Sequence, residues 1–218
     1  MLVEYVAHSG DDLLVVNAAR CSFGKEKQEF TDADTKLINF LAREKHVLPF
    51  RHPTVTLRCK APLFVARQLM KHQAGMSWSE ESRRYITTEP EFYFPDKWRK
   101  KADNVKQGSS DEEVDNYESL WMFDSIHEDY NSHVEESIKF YEHLLRQGVA
   151  PEQARMVLPQ AACSTWVWTG TLLAWVHMLK LRLDSHTQKE CRDFAALVAD
   201  IIKPLYPVSY EALMKETE

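Results

Sequence analysis

Glycine is scarce in this chain: six residues in 218. No GxGxxG turn occurs, and no GxxxxGK loop followed by Ser or Thr. A dinucleotide bound here would need side chains and helix ends, rather than a glycine-rich turn, to hold its phosphates. Cysteine is also sparse. Cys21, Cys59, Cys163 and Cys191 form no CxxC pair, which argues against a zinc knuckle or a thioredoxin-type motif. Scattered thiols suit a reducing cytosol, so a cytoplasmic setting is expected. No apolar run approaches the ~20 residues a bilayer needs, and the N-terminus lacks a signal pattern. There is no basic excess. The formal net charge of −6 disfavours a general nucleic-acid binder, which needs a positive field to displace counterions. Metal-ligand spacings such as HExxH are missing, as is a GxSxG elbow, so no metal centre is expected.

What remains is an ordinary globular composition, 44% apolar and 28% charged. Leu13–Asn17 is a short apolar strand candidate. Thr31–Glu44 has helical spacing behind a Thr-Asp cap, and Thr54–Leu57 alternates as a strand does. Pro62 opens a helix over Leu63–His72. Ala74–Arg84 breaks every regular pattern. Glu89–Pro95 reads as a packed loop and Lys100–Asp115 as an exposed one. Tyr117–Gln147 reads as a long helix that Gly148 stops. Pro151–Val157, Leu172–Leu183 and Ser185–Lys203 follow as helices, the last ended by Pro204. With no repeat and no linker, residues 1–218 read as a single α+β domain. A mixed or antiparallel sheet is expected, with a helix-rich C-terminal half.

Three segments concentrate chemistry. In Arg67–Tyr85, Lys71 follows Arg67 by four on a helical face, with Gln68 beside it. The loop beyond bears Ser77, Ser79, Glu80, Ser82, Arg83 and Arg84. Arginine forks match phosphate oxygens, serines add donors, and Glu80 could accept from a ribose hydroxyl or an N–H edge. The same residues would also suit a solvated loop. Gly148–Gln160 sets Arg155 in the last turn of a short helix, and a plain surface arginine is the simpler alternative. Leu179–Arg192 places Arg182 and His186 about a helix–helix corner, with Ser185 as a cap. An anion could sit there, or the corner could be purely structural. His46 and His52 flank a Leu-Pro-Phe turn, and such histidines by themselves are more often structural.

In order along the chain, these stretches resemble the flavin-dependent thymidylate synthases. AARCSF at 18–23 resembles the family's Ala-Ala-Arg-x-Ser, and HVLPFRH at 46–52 its His-x-Ser/Thr-Pro-Phe-Glu-His. APLFVARQ at 61–68 matches the helix entry ending in Arg-Gln. Lys71-His72-Gln73 stands at the Arg-His-Arg signature, followed by Ser77 to Tyr85. GVAPEQARMVLP and LRLDSHTQKECR match two further motifs, so the resemblance covers about residues 14–192. The departures are specific. Lys71 and Gln73 replace two arginines, and one extra residue separates Gln73 from Ser82. Ser79 replaces Asn, Leu48 and Arg51 replace Ser/Thr and Glu, and Thr171–Ala174 replaces Asn-Ala-Arg-Ser. His177 stands where an Asn is usual. Lysine is a point charge where arginine is a planar fork, so that exchange alters geometry.

The resemblance implies reductive methylation of dUMP to dTMP. Methylenetetrahydrofolate would donate carbon, with FAD reduced by NADPH. It implies Arg182 as the residue stabilising charge that develops on the uracil. Gln68, Lys71, Glu80, Ser82, Arg84, Arg155 and Arg182 would hold dUMP. His46, Lys71, His72, Gln73, Glu80, His177 and His186 would meet FAD. It further implies a homotetramer with sites between subunits, and no catalytic cysteine. Two alternatives stand beside it: a same-fold flavoenzyme that hydroxymethylates dUMP, and a non-catalytic nucleotide- or RNA-binding relative.

Overall fold

The computed structural model describes residues 1–103 and 109–215. Its centre is a four-stranded antiparallel sheet in the order β1 (Leu2–Ser9), β2 (Thr54–Pro62), β6 (Cys163–Thr171), β3 (Met76–Glu80). The expected α+β class with an antiparallel sheet is borne out. β2 and β6 are the central pair, in register from Thr54 opposite Thr171 to Pro62 opposite Cys163. Alternate residues of both point into the core: Val55, Leu57, Cys59 and Ala61 on β2, Trp166 and Trp168 on β6.

Each central strand runs directly into a helix. β2 leads into α3 (Leu63–Leu69), and β6 into α6 (Leu172–Arg182), where the Thr171 hydroxyl caps the Ala174 N–H. α6 buries Leu172 to Val176, Met178 and Leu179. α7 (Lys189–Leu205) adds Phe194, Val198 and Ile202 to the same core. Trp166 stacks on Trp78 with ring centroids 4.3 Å apart, and the buried Trp175 Nε1–H donates to the Val55 carbonyl at 3.2 Å. Large aromatic surfaces therefore cement the sheet to α6.

Several local expectations gave way to tertiary structure. Leu13–Asn17 is not a strand but lies in α1 (Asp12–Arg20). Asp11 caps that helix by accepting from the Leu13 and Leu14 amides, and Val15 and Val16 enter the core. A four-residue apolar run cannot by itself distinguish the two states. Ala74–Arg84 contains β3, entered through Gly75 at φ +74°, where a Cβ would press within 3.1 Å of Ala174. The loop expected over Lys100–Asp115 includes paired strands β4 (Arg99–Lys101) and β5 (Ser109–Glu113). Its Gln107–Gly108 lies outside the described residues. The long helix α4 spans Ile126–Arg146, not Tyr117–Gln147. Asp129 draws Tyr117, Ser119 and the Leu120 amide into a turn ahead of it, and Ser125 caps the true start. Gly148, at φ +80°, does stop α4.

α7 begins at Lys189 rather than Ser185, because Asp184 closes its own turn on His186 and Thr187. Pro204 lies in its last turn rather than after it. The helix α2 (Asp32–Arg43) has the expected Thr31 cap, a capping box closed by the buried Asp34. α5 (Pro151–Ala154) passes into a 3₁₀ turn, Arg155–Val157, as the sequence suggests. β1, β6 and α8 (Pro207–Met214) were not expected. α8 is held at its start by Asp12, which accepts from the Val208 and Ser209 amides. No helix among the described residues is long and apolar enough to cross a membrane.

Candidate active site

The first cluster forms where α3 ends, α6 ends and α7 begins. Arg182, in the last turn of α6, donates from Nε to His72 Nε2 at 2.9 Å. Its Nη2 donates to the Gln68 backbone carbonyl, also at 2.9 Å. That carbonyl belongs to the last turn of α3, where the helix itself supplies no donor. Arg182 is thus held by the end of α3 and the residues just after it. A guanidinium has five N–H donors, so those on Nη1 and one on Nη2 stay available. His72 accepts at Nε2, which places its proton on Nδ1. Burial, and then the Arg182 charge, hold its pKa below the ordinary value. The Gln68 side chain is equally fixed. Its Nε2 donates to the Phe64 carbonyl at 3.2 Å and to Gln188 Oε1 at 2.7 Å.

Lys71 and Gln73 flank His72 and are exposed. His186 is exposed too, with Nδ1 2.9 Å from Asp184 Oδ1. These residues border the cluster without joining its hydrogen bonds. Gln188 and Glu190, which do join, were given no role by sequence reasoning although both lie in the LRLDSHTQKECR stretch.

A second group lies at the other end of β3. Glu80 accepts from Ser164 Oγ at 2.5 Å and from Trp78 Nε1 at 3.1 Å. Arg155 and Ser164 share with it a cavity of about 110 Å³, also lined by Glu81 and Arg83. Ser82 Oγ accepts from the Arg84 amide, and Arg84 lies 3.6 Å from Glu152. Arg155 Nε donates to the Glu152 carbonyl. Ligand pockets commonly measure about 300–1,000 Å³. This cavity by itself is therefore too small to enclose a nucleotide. Among the described residues, no hydrogen bond or ion pair joins this rim to the Arg182 corner.

The remaining two candidates lie elsewhere. His46 follows α2 and meets Phe40 edge-on at 5.9 Å. His177, on α6, lines a cavity of about 330 Å³ with Lys45, Lys180 and Lys215 over Leu173, Val176 and Leu213. Burial lowers the His177 pKa, and the charges of Lys180 and Arg51 lower it further. Lysines above an apolar floor form a donor set compatible with an anionic, partly aromatic cofactor. Lys45 and Lys180 escaped the sequence reading. Lys180 could have been found as the residue three beyond His177 on one helix.

With this geometry in place, the chain belongs to the family described as thymidylate synthase complementing protein, whose model matches residues 2–208. The family membership expected from the motifs is borne out. More particularly, it is 38% identical over 208 residues to the flavin-dependent thymidylate synthase of Thermosipho africanus. That alignment covers 94% of this chain and 87% of the relative. The flavin-dependent thymidylate synthase of Thermus thermophilus is 37% identical, over 96% of this chain and 74% of the relative. Among solved structures, the UMP/dUMP methylase PolB from Streptomyces cacaoi bound with 5-Br dUMP superposes with a TM-score of 0.81. It is 32% identical, with 97% of this chain and 93% of that chain covered. A second PolB structure, bound with 5-Br UMP, has the same TM-score.

Proposed function

We propose that this chain is a flavin-dependent thymidylate synthase that reductively methylates dUMP to dTMP. Methylenetetrahydrofolate is the carbon donor, and FAD and NADPH supply reducing equivalents. The observation that carries this reading is Arg182. Its guanidinium is fixed by His72 and by the Gln68 carbonyl, with N–H donors left over. A preset cation costs little reorganisation when negative charge develops on a pyrimidine carbonyl, and it stabilises that charge more than the ground state. No cysteine is needed as nucleophile. Cys59, Cys163 and Cys191 have thiol pKa values pushed up by burial, Cys59 to about 12.

Gln68 and Lys71 hold dUMP at the corner. Glu80, Ser82, Arg84 and Arg155 hold it at the rim, where the arginines suit phosphate. His46, Lys71, His72, Gln73, Glu80, His177 and His186 are assigned to FAD, with Lys45 and Lys180 as added cations. When bound, the flavin supplies the hydride that completes the methyl group. The separation of corner and rim within one chain favours sites built between subunits of a homotetramer. One subunit would offer Arg182 where another offers Arg155.

The decisive experiment incubates the purified protein with dUMP, methylenetetrahydrofolate, NADPH and FAD, and weighs the product. dTMP formation is expected, and denatured, filtered protein should release a flavin. A hydroxymethylated product, or flavin-loaded protein that makes no dTMP, would overturn the assignment. The likeness to PolB favours a second reading, in which UMP is also methylated. UMP assayed in parallel tests it.

A further inference from the structure

The LRLDSHTQKECR stretch supplies two polar residues, Gln188 and Glu190, that the proposed chemistry does not use. Glu190 lies in the first turn of α7 and is 5% exposed. Arg99, whose side chain is 13% exposed, donates from Nη2 to Glu190 Oε1 at 2.6 Å. Arg99 Nε is in turn tied to Ser109 Oγ at 2.7 Å. Gln188 Nε2 donates to the other Glu190 oxygen at 2.9 Å, and Gln188 Oε1 accepts from Gln68 Nε2. A continuous line of hydrogen bonds thus runs from Arg99 through Glu190 and Gln188 to Gln68.

We propose that Glu190, anchored by Arg99, is a positioning residue that acts through Gln188, alongside the Phe64 carbonyl, to hold the Gln68 amide with its oxygen toward the nucleotide. The argument is one of donors and acceptors. An ionised carboxylate can only accept, so Gln188 must turn its NH₂ toward Glu190. Its carbonyl oxygen then faces Gln68, which must turn its own NH₂ inward. The Phe64 carbonyl requires the same orientation. Both Gln68 amide hydrogens are therefore used, and Gln68 presents Oε1, an acceptor. Arg182 beside it presents donors. An acceptor next to a donor complements an N–H next to a C=O, the imide edge of uracil. Burial pushes the Glu190 pKa upward. The Arg99 hydrogen bond, its own backbone amide and Gln188 together outweigh burial, and the group stays ionised.

This proposal rests on the reading that Gln68 meets dUMP, and its test separates the two. The dUMP dissociation constant is measured by calorimetry on the 218-residue chain. The variants are Gln68→Ala, Glu190→Gln, Gln188→Met, and each of the last two combined with Gln68→Ala. Losing one oriented hydrogen bond should weaken binding about tenfold in each single variant. In the Gln68→Ala background, Glu190→Gln and Gln188→Met should add nothing, because they act through Gln68. A purely structural role would instead weaken binding equally in both backgrounds and overturn the proposal. Normal binding by both Glu190→Gln and Gln188→Met, with binding lost in Gln68→Ala, overturns the relay and leaves Gln68 at the nucleotide. Unchanged binding in Gln68→Ala overturns the relay together with that placement. Should Glu190→Gln not fold, the Gln188→Met cycle decides alone, since it leaves the buried Arg99–Glu190 pair intact.

Discussion

At the α3–α6–α7 corner, each central polar side chain is already held by another. At the β3–α5 rim, the cations are held only loosely. Arg182 is fastened at two atoms and Gln68 at its amide nitrogen, and both are half-buried. Arg84 is about half exposed, lies 3.6 Å from Glu152 and sits over the exposed ring of Tyr85. Arg155 is exposed, with one backbone partner. An exposed pair of this kind contributes about 0–1 kcal/mol and is easily rearranged. The corner is thus preorganised within one chain, as a group that acts on a transition state should be. The rim is available to be ordered by a ligand or a neighbouring subunit, as a group that binds a phosphate can be.

Four experiments can break or sharpen that contrast. The largest effect is expected from Arg182→Ala. Removing one preset donor to developing charge costs about 2.7–4 kcal/mol, or ~10²–10³ in kcat, while flavin content stays near normal. Steady-state kinetics with flavin absorbance in parallel reads both. Near-normal kcat with intact flavin removes Arg182 from the mechanism. Next come Arg84→Ala and Arg155→Ala. A lost charge-assisted hydrogen bond of about 1.5–3 kcal/mol should raise KM for dUMP by roughly tenfold to a hundredfold, with kcat little altered. If either lowers kcat as Arg182→Ala does, the division between corner and rim fails.

A smaller effect should follow pH. The His72 pKa is depressed from 6.5 by burial and by Arg182, so at neutral pH the ring accepts from Arg182. In the unfolded chain the ring takes up its proton first. The stability tied to it is therefore complete above about pH 6.5 and falls as pH drops from there toward the depressed value. Below that value the protonated ring no longer accepts, and it repels Arg182. Turnover should show a severalfold acidic limb at the depressed value, below the ordinary histidine range, rather than at pH 6.5 itself. His72→Gln, whose amide oxygen accepts at any pH, should flatten the limb. A limb unchanged in this variant assigns it to another group. The smallest effect is expected from the thiols. Cys→Ala at each of Cys21, Cys59, Cys163 and Cys191 should leave kcat within about twofold, because the proposed chemistry uses no thiol nucleophile. A loss by orders of magnitude in a folded variant would point to one that does.

The contrast also marks how far the sequence could be read. Helices with local signatures were legible: Thr31 before α2, Pro62 before α3, Pro151 at α5 and Gly148 after α4 each act through neighbours a few residues away. β1 and β6 were not, since a strand's stability comes from a partner far along the chain. Leu13–Asn17 misled because its short apolar run suits either state, and the burial of Val15 and Val16 that favours the helix comes from distant parts of the chain. For the candidate site, motif order alone pointed to Gln68, His72 and Arg182. It gave no role to Gln188 or Glu190, because their partners, not their types, make them matter.

The sequence by itself determined the family, through short motifs whose order along the chain is independent of folding. It also determined the supply of chemistry: arginines, glutamines and histidines at motif positions, and no paired cysteines. Tertiary structure alone decided which of these meet. Arg182 finds His72 across 110 residues, and Arg99 finds Glu190 across 91. Such pairings have no local cause. They exist because β2 and β6 pair in one register and each runs into its helix, so that α3 packs on α7 and the end of α6 meets the end of α3.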